Sequence, residues 1–185
     1  MSEDGAPSAL VLGLGNLLCG DDGLGIVALE VLRRRFEPPA NVALVDGGTL
    51  GLSLLPTLES ARSVWILDAV AADAPPGTLV SLEGEAVEPA LRERLSPHQI
   101  GVADLLDALH WRDTWPTRLR VLGLVPESFA LEIGLSPRVS QGLESLVTAV
   151  AGELEACGHT LRPRTGESDD SVARAGDPIA RVLGL

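Results

Sequence analysis

A strand, an acidic glycine-rich turn and a helix follow one another at residues 10–32, and this unit constrains the fold more than any other stretch. The apolar run at residues 9–13 has the length and composition of a buried strand. The turn carries two adjacent carboxylates, Asp21 and Asp22, and apolar residues then recur with helical spacing. We expect a helix at residues 23–35 with Asp21 or Asp22 as its N-cap. Open α/β sheets build their sites from such units, at the carboxyl ends of their strands.

The rest of the chain continues this alternation of strands and helices. Apolar runs predict strands at residues 42–45, 63–67, 78–82 and 118–125. Amphipathic segments predict helices at residues 50–59, 83–95 (in part), 96–109 and 136–157. The start at residue 96 is marked clearly, because Ser96 suits the N-cap, Pro97 suits the first turn and Gln99 completes a capping box. Strands that alternate with helices imply a three-layer α/β domain.

Length and composition indicate one domain. We divide the 185 residues into a frayed leader at 1–8, a domain at 9–161 and a disordered tail at 162–185, where the apolar periodicity stops. No apolar run reaches the ~18 residues of a membrane span, and no signal peptide is recognisable. Two cysteines do not make a disulfide framework, so we expect a cytoplasmic protein, which we take to be a monomer.

The charge of the chain disfavours two classes of partner. The net charge is −12, and all 14 basic residues are arginines. Nucleic acids and anionic membranes are bound by basic patches, so we expect neither as a partner. The only cluster of basic residues, Arg33, Arg34 and Arg35, falls in the last turn of the first helix, where it complements the helix dipole.

Three strand ends carry carboxylates that can work together. Asp22, Asp46 and Asp68 each follow an apolar strand, and parallel strands bring such ends to one edge of the sheet. His98 lies in the first turn of a helix, where the dipole favours the neutral ring that a metal needs. Carboxylates and one imidazole form an incomplete ligand set for a divalent transition metal, with positions open for a substrate. The alternative is that they are separate turn acids and a surface histidine.

Two other chemistries fit the turn less well. Gly13 and Gly15 begin a dinucleotide fingerprint, but Leu18 stands where its third glycine belongs, and the two aspartates would repel a pyrophosphate. Cys19 is a conceivable nucleophile with His98 as its base. Two neighbouring carboxylates are an unfavourable environment for the thiolate that such a nucleophile needs.

An ordered set of motifs makes the chain similar to a known family. The segments are Gly13-Leu14-Gly15-Asn16 with Gly20-Asp21-Asp22-Gly23-Leu24-Gly25, Asp46-Gly47-Gly48-Thr49 with Gly51-Leu52, Leu67-Asp68-Ala69, Ser96-Pro97-His98-Gln99-Ile100-Gly101, and Gly134-Leu135-Ser136-Pro137 with Val139. In this order they resemble the hydrogenase maturation endopeptidases, which process the large subunit of [NiFe] hydrogenases. The resemblance covers residues 9–157.

The resemblance implies a mostly parallel five-stranded sheet between layers of helices. It implies an endopeptidase that removes the C-terminal extension of the large-subunit precursor after nickel insertion. The metal-contacting positions of the family fall on Asp22, Asp68 and His98, and the nickel is supplied by the substrate. Many members have Glu where this chain has Asp22. Asp21, Asp46, Gly20 and Gly47 would support the loops and the ligands.

The residues leave several alternatives open. Either the metal ion or one of the two carboxylates Asp22 and Asp68 activates the attacking water. The same fold also suits a non-catalytic metal-binding or chaperone module. A peptidase with another precursor as substrate, and a nucleotide-binding or hydrolase domain of another kind, remain further alternatives.

Overall fold

The computed structural model describes residues 7–92 and 100–164. Its strands are β1 (Ala9–Leu14), β2 (Phe36–Glu37), β3 (Val42–Gly48), β4 (Ser63–Ala69), β5 (Leu79–Glu83), β6 (Arg118–Leu124) and β7 (Arg162–Pro163). Its α-helices are α1 (Leu24–Arg35), α2 (Leu55–Glu59), α3 (Val87–Arg92), α4 (Ile100–Trp111) and α5 (Pro137–Ala156). Short 3-10 turns occupy Gly20–Gly23, Gly51–Leu54 and Gly84–Ala86.

Five strands form the main sheet in the order β3-β1-β4-β6-β5. The pairs β1–β3, β1–β4 and β4–β6 are parallel, and β5 runs antiparallel to β6 at one edge. The expected mostly parallel five-stranded sheet is therefore confirmed. Because four strands run in one direction, the loops after β1, β3, β4 and β6 all leave the sheet at the same side, called the carboxyl edge below.

Helices cover both faces of this sheet. On β4, the neighbouring residues Trp65 and Ile66 point to opposite faces and are both buried. Trp65 packs in a core shared with α1 and α5, which includes Leu29, whereas Ile66 packs in a core shared with α2, α3 and α4, which includes Leu58. The three-layer α/β/α architecture follows from these two cores.

The start of the first helix differs from the prediction. Helix α1 begins at Leu24 with Gly23 as its N-cap residue, and neither aspartate caps it. Asp21 and Asp22 lie instead in the preceding 3-10 turn, and both are buried. The N-cap assignment was wrong because the two carboxylates accept hydrogen bonds from other segments. The capping box at residues 96–99 lies outside the described residues.

Two further boundaries differ from the predicted ones. The segment predicted as one helix at 50–59 is a 3-10 turn followed by the five-residue helix α2, with Pro56 in its first turn. The ordered domain extends past residue 161, where we predicted a disordered tail to begin. Strand β7 pairs antiparallel with β2, and the amide of Arg164 donates to the carbonyl of Arg35 at 2.8 Å. Within the described ranges, no helix has both the length and the apolar character needed to cross a membrane.

Candidate active site

Close backbone contacts place the acidic turn over the end of the sheet. Gly15 has a φ of +129°, and a Cβ there would lie 1.7 Å from the carbonyl oxygen of Asp22. A Cβ on Gly25 would lie 2.0 Å from the carbonyl oxygen of Leu67. Only glycine fits at either position, and the start of α1 therefore touches β4 at the residue before Asp68. This contact brings the segment of Asp22 to the end of the strand that carries Asp68.

Asp22 and Asp68 are both buried at this edge. Their relative exposures are 2% and 1%. Asp22 Oδ2 accepts a hydrogen bond from the amide of Asn16 at 2.9 Å, and Asp68 Oδ1 accepts one from the amide of Ala69 at 2.7 Å. By strand alternation Asp68 lies on the same face of β4 as Ile66, which is the face covered by α4.

Asp21 connects the acidic turn to a loop more than 100 residues away. Its Oδ2 accepts from the amides of Glu127 at 2.7 Å and Ser128 at 3.0 Å, and its Oδ1 accepts from the amide of Ser136 at 2.7 Å. Asp21 is fully buried, and Ser136 is the N-cap residue of α5. One carboxylate therefore fixes both ends of the loop between β6 and α5 and complements the positive end of α5.

The backbone of the turn adds two more contacts to the same loop. The amide of Gly20 donates to the carbonyl of Glu132 at 2.8 Å, and the amide of Asp21 donates to the carbonyl of Ser128 at 3.1 Å. A Cβ on Gly20, whose φ is +57°, would lie 3.0 Å from the Ser128 carbonyl oxygen. The turn and the loop therefore form one unit beside the buried aspartates.

Asp46 occupies a different position from the other two strand-end aspartates. It pairs with Gly13 on one side of β1, whereas Leu67, the neighbour of Asp68, pairs with Gly13 on the other side. The backbones of β3 and β4 are thus two strand spacings apart, roughly 10 Å. Asp46 is exposed, and its Oδ1 accepts from the amide of Gly48 at 3.0 Å. Asp46 lies away from Asp68, and the described residues do not group Asp46, Asp22 and Asp68 into a site that could hold a metal ion.

Gly47 supports the same strand end through close packing. A Cβ on this glycine would lie 2.7 Å from Leu12 Cδ1 and 2.9 Å from Leu14 Cδ2. Gly47 is buried, although Asp46 beside it is exposed. A larger residue here would push the end of β3 away from β1.

His98 lies outside the described residues, so the structure does not place the third predicted ligand. The helix that follows it does reach the same edge, because a Cβ on Gly51, just after β3, would lie 2.8 Å from Gly101 Cα. Within residues 7–92 and 100–164, no three His, Cys, Asp or Glu residues form a group that could hold a metal ion. Of the three predicted ligands, the described residues include Asp22 and Asp68, which are both buried, and the metal site stays a prediction. The proposed pair of Cys19 and His98 stays a prediction for the same reason.

Comparison with known proteins identifies the family. The family model for hydrogenase maturation protease (HycI) matches residues 26–153. The hydrogenase 2 maturation protease of Escherichia coli K12 is 36% identical over 161 residues, which are 86% of this chain and 98% of that protein. This chain belongs to the hydrogenase maturation protease family.

Solved structures of the family have the same fold. The hydrogenase maturating endopeptidase HybD from E. coli matches with a TM-score of 0.81 and 36% identity, covering 85% of this chain and 98% of that one. The [NiFe] hydrogenase maturation protease HybD from Thermococcus kodakarensis matches with a TM-score of 0.65 and 28% identity, covering 79% and 97%. These matches confirm the family resemblance of the motifs and the endopeptidase class of this chain.

Sequence reasoning missed the contact between the β6–α5 loop and the acidic turn. The motif at residues 134–137 is part of the family resemblance and predicts a helix start, but neither role predicts a contact with Asp21, and residues 126–133 have no predicted role. The connection at residues 125–136 is longer than the usual four to six or so residues between elements, which is a signal of a functional loop. Its contacts with Asp21 are made by backbone amides, which no residue type reveals.

Proposed function

We propose that this protein removes the C-terminal extension from the large-subunit precursor of a [NiFe] hydrogenase after nickel has been inserted. The observation that carries the proposal is its membership of the hydrogenase maturation protease family along nearly the whole domain. The burial of Asp22 and Asp68 at the carboxyl edge supports it, because this edge is where open α/β proteins act on their ligands.

Asp22, Asp68 and His98 are the residues that we propose contact the nickel. The ion belongs to the precursor, so these side chains bind a metal that the substrate presents. Two observations support the assignment: Asp22 and Asp68 are almost completely buried at one edge, and the helix after His98 packs against that edge at Gly51. Carboxylate oxygens with an imidazole nitrogen suit a divalent first-row metal, and three ligands leave positions for those of the precursor. A precursor without nickel would lack this contact and would stay uncut.

Asp21, Asp46, Gly20 and Gly47 have supporting roles in this proposal. Asp21 and Gly20 tie the acidic turn to the β6–α5 loop through the hydrogen bonds given above. Gly47 lets β3 lie against β1, and Asp46 accepts from the amide of Gly48 within the turn that follows. None of these four needs to touch the nickel.

Two routes to the attacking water fit these residues. In the first, the nickel polarises the water while Asp22 and Asp68 hold the ion. In the second, one of these carboxylates accepts the proton of the water as a general base. Asp68→Asn keeps an oxygen for the metal but removes the base. Nickel-dependent binding of the precursor without cleavage by this variant supports the second route for Asp68.

The test is cleavage of matched precursors. Purified protein is mixed with nickel-loaded and with nickel-free precursor, and the mass of the large subunit is followed by mass spectrometry. We expect loss of the C-terminal extension from the loaded precursor only. An intact loaded precursor, under conditions in which the E. coli relative cleaves its own substrate, contradicts the proposal. Binding of the loaded precursor without cleavage identifies a non-catalytic metal-binding or chaperone module instead.

We further propose that the protein acts as a monomer in the cytoplasm. Cys19 and Cys157 are both free thiols, as is usual for proteins of a reducing compartment. Cell fractionation and sedimentation of the purified chain test these two points. A periplasmic location or a dimer at working concentrations contradicts them.

A further inference from the structure

Exposed apolar side chains are concentrated at the carboxyl edge. Among the described residues, eight large apolar side chains are exposed: Leu18, Leu50, Leu52, Leu79, Trp111, Phe129, Leu131 and Ile133. Trp111 ends α4 at the opposite edge, and the other seven lie on segments that enter or leave the sheet at the carboxyl edge. Exposed apolar patches on monomers mark interaction sites, and two groups here are close in sequence, Leu50 with Leu52 and Phe129 with Leu131 and Ile133. We call Leu18, Leu50, Leu52, Phe129, Leu131 and Ile133 the apolar rim.

The apolar rim lies on both sides of the buried aspartates. Leu50 and Leu52 follow β3, whereas Phe129, Leu131 and Ile133 follow β6. The strand β4, whose end carries Asp68, and β1, which leads into the turn of Asp22, lie between β3 and β6 in the sheet. A partner that reaches the two aspartates therefore meets apolar side chains on either side.

The backbone that presents one half of the rim is held in place. Carbonyls of Ser128 and Glu132 accept from the amides of Asp21 and Gly20, so hydrogen bonds fix the chain on both sides of Leu131. Leu131 itself is 87% exposed, and Ile133 is 54% exposed. A surface that is ordered before binding loses less conformational entropy when a partner covers it. The exposure of Leu131 and Ile133 is therefore a feature of an ordered loop, as expected for a binding surface.

The charge around the rim selects the partner further. Glu132 stands between Leu131 and Ile133, is exposed, and forms no ion pair with another described residue. The chain as a whole has a net charge of −12. Complementary charge raises the association rate and suppresses wrong partners. The partner that fits is a polypeptide with apolar side chains next to arginine or lysine.

We propose that the apolar rim is the docking surface for the large-subunit precursor, which it binds through an apolar segment flanked by basic side chains. This inference rests on the proposed function, because the precursor is its occupant. Leu131 is the central contact on the side of β6. The rim binds the precursor polypeptide, whereas the buried aspartates contact its nickel, so affinity and cleavage depend on different residues.

The test compares two apolar-to-acidic substitutions at opposite edges. Leu131→Asp places a charge in the rim, and Trp111→Asp makes the same kind of change at a site that is 92% exposed on the other edge. Binding to nickel-free precursor is measured by calorimetry, and KM and kcat are measured on loaded precursor. For Leu131→Asp we expect Kd and KM to rise at least about tenfold while kcat stays within about twofold of wild type. Trp111→Asp leaves all three unchanged.

Glu132→Arg tests the charge of the partner. We expect its affinity for the precursor to fall several-fold at low salt, and the loss to shrink at high salt because exposed charges are screened. An affinity that rises on this charge reversal overturns the basic segment of the proposal.

The remaining outcomes separate the docking surface from the proposed function. If wild type cleaves and Leu131→Asp binds the precursor as tightly as wild type, the docking proposal is wrong and the function stands. If wild type binds through Leu131 but does not cleave, the docking surface stands and the function is wrong. Equal losses in Leu131→Asp and Trp111→Asp show a general charge effect and overturn the docking proposal. A wild-type dimer that Leu131→Asp dissociates assigns the rim to a second copy and also overturns it.

Discussion

Two groups of carboxylates at opposite edges of the sheet are held in opposite ways. At the carboxyl edge, Asp21, Asp22 and Asp68 are buried and accept hydrogen bonds from backbone amides. At the opposite edge, where the four parallel strands begin and which we call the amino edge, Glu59 and Glu88 are partly exposed and pair with side chains. Burying a carboxylate costs free energy unless hydrogen bonds compensate for the lost water. The three buried aspartates therefore need their amide donors, whereas the partly exposed glutamates of the amino edge do not.

The amino edge contains ordinary surface ion pairs. Hydrogen bonds from Arg112 and Thr114 lower the pKa of the Glu59 carboxyl. The pKa of Glu88 is lowered mainly by a hydrogen bond from His110 and, to a smaller extent, by one from Arg92. Such exposed pairs contribute little to stability. In this protein, the burial of a carboxylate and the groups that donate hydrogen bonds to it indicate its role better than its position in the sequence does.

The largest expected effect is the loss of cleavage on removing a carboxylate at the carboxyl edge. Asp68→Asn should lower kcat/KM for the loaded precursor by at least about 100-fold, which is the scale of a positioned acid–base or metal-contacting group. Glu88→Gln removes a carboxylate at the amino edge and should leave cleavage unchanged. Mass spectrometry of the precursor measures both, and circular dichroism confirms that both variants are folded. Equal activities of the two variants would remove the distinction between the edges.

The largest expected effect on stability comes from Asp21. Asp21→Ala leaves three backbone amides without their acceptor and removes the negative charge from the start of α5. We expect the free energy of unfolding to fall by about 2–4 kcal/mol. Asp46→Ala, which removes an exposed carboxylate with one amide bond, should cost under about 1 kcal/mol. Urea denaturation measures the difference, and similar losses in the two variants would contradict the structural role of Asp21.

Gly25→Ala tests the contact that places the acidic turn on β4. The new Cβ would lie 2.0 Å from the Leu67 carbonyl oxygen, so the helix start must shift, and we expect a loss of about 1–3 kcal/mol. The matched control is Gly152→Ala in α5, where nothing lies within 4 Å of the new Cβ. There alanine should stabilise the helix by roughly 0.5–1 kcal/mol. Thermal unfolding gives the sign of each change, and a stable Gly25→Ala variant would show that the turn tolerates movement.

The sequence predicted the five strands of the main sheet, and the edge at which Asp22 and Asp68 lie, for a simple physical reason. In a parallel sheet, a short apolar run forms a buried strand, and a carboxylate that follows the run lies at the carboxyl end of that strand. Asp22 and Asp68 follow this rule. Asp46 also follows it in the sequence, but the strand order puts β1 between it and β4, and strand order is not encoded in the apolar pattern.

The hydrogen bonds that hold the acidic turn in place could not be predicted from the sequence. Asp21 was expected to cap the nearest helix or to support a loop, and it binds amides 106 to 115 residues further along the chain. Backbone amides are common to all residues except proline, so they leave no trace in the residue pattern. The apolar rim escaped prediction for a related reason, since Leu131 and Ile133 look like core residues until their loop is fixed facing outward.

The smallest expected effect belongs to the ion pair of Glu59 at the amino edge. Its pKa is lowered in the folded protein by the hydrogen bonds of Arg112 and Thr114, so the pair stabilises the fold above the pKa of the unfolded chain. That contribution is lost as the pH falls through the folded pKa. Glu59→Gln should therefore lower the urea midpoint slightly at about pH 7, and the difference from wild type should shrink as the pH falls below the usual pKa of a glutamate, about 4.3. A difference in urea midpoint that persists in acid would show that Glu59 acts through packing. If the two edges are independent, Glu59→Gln also leaves cleavage of the precursor at neutral pH unchanged.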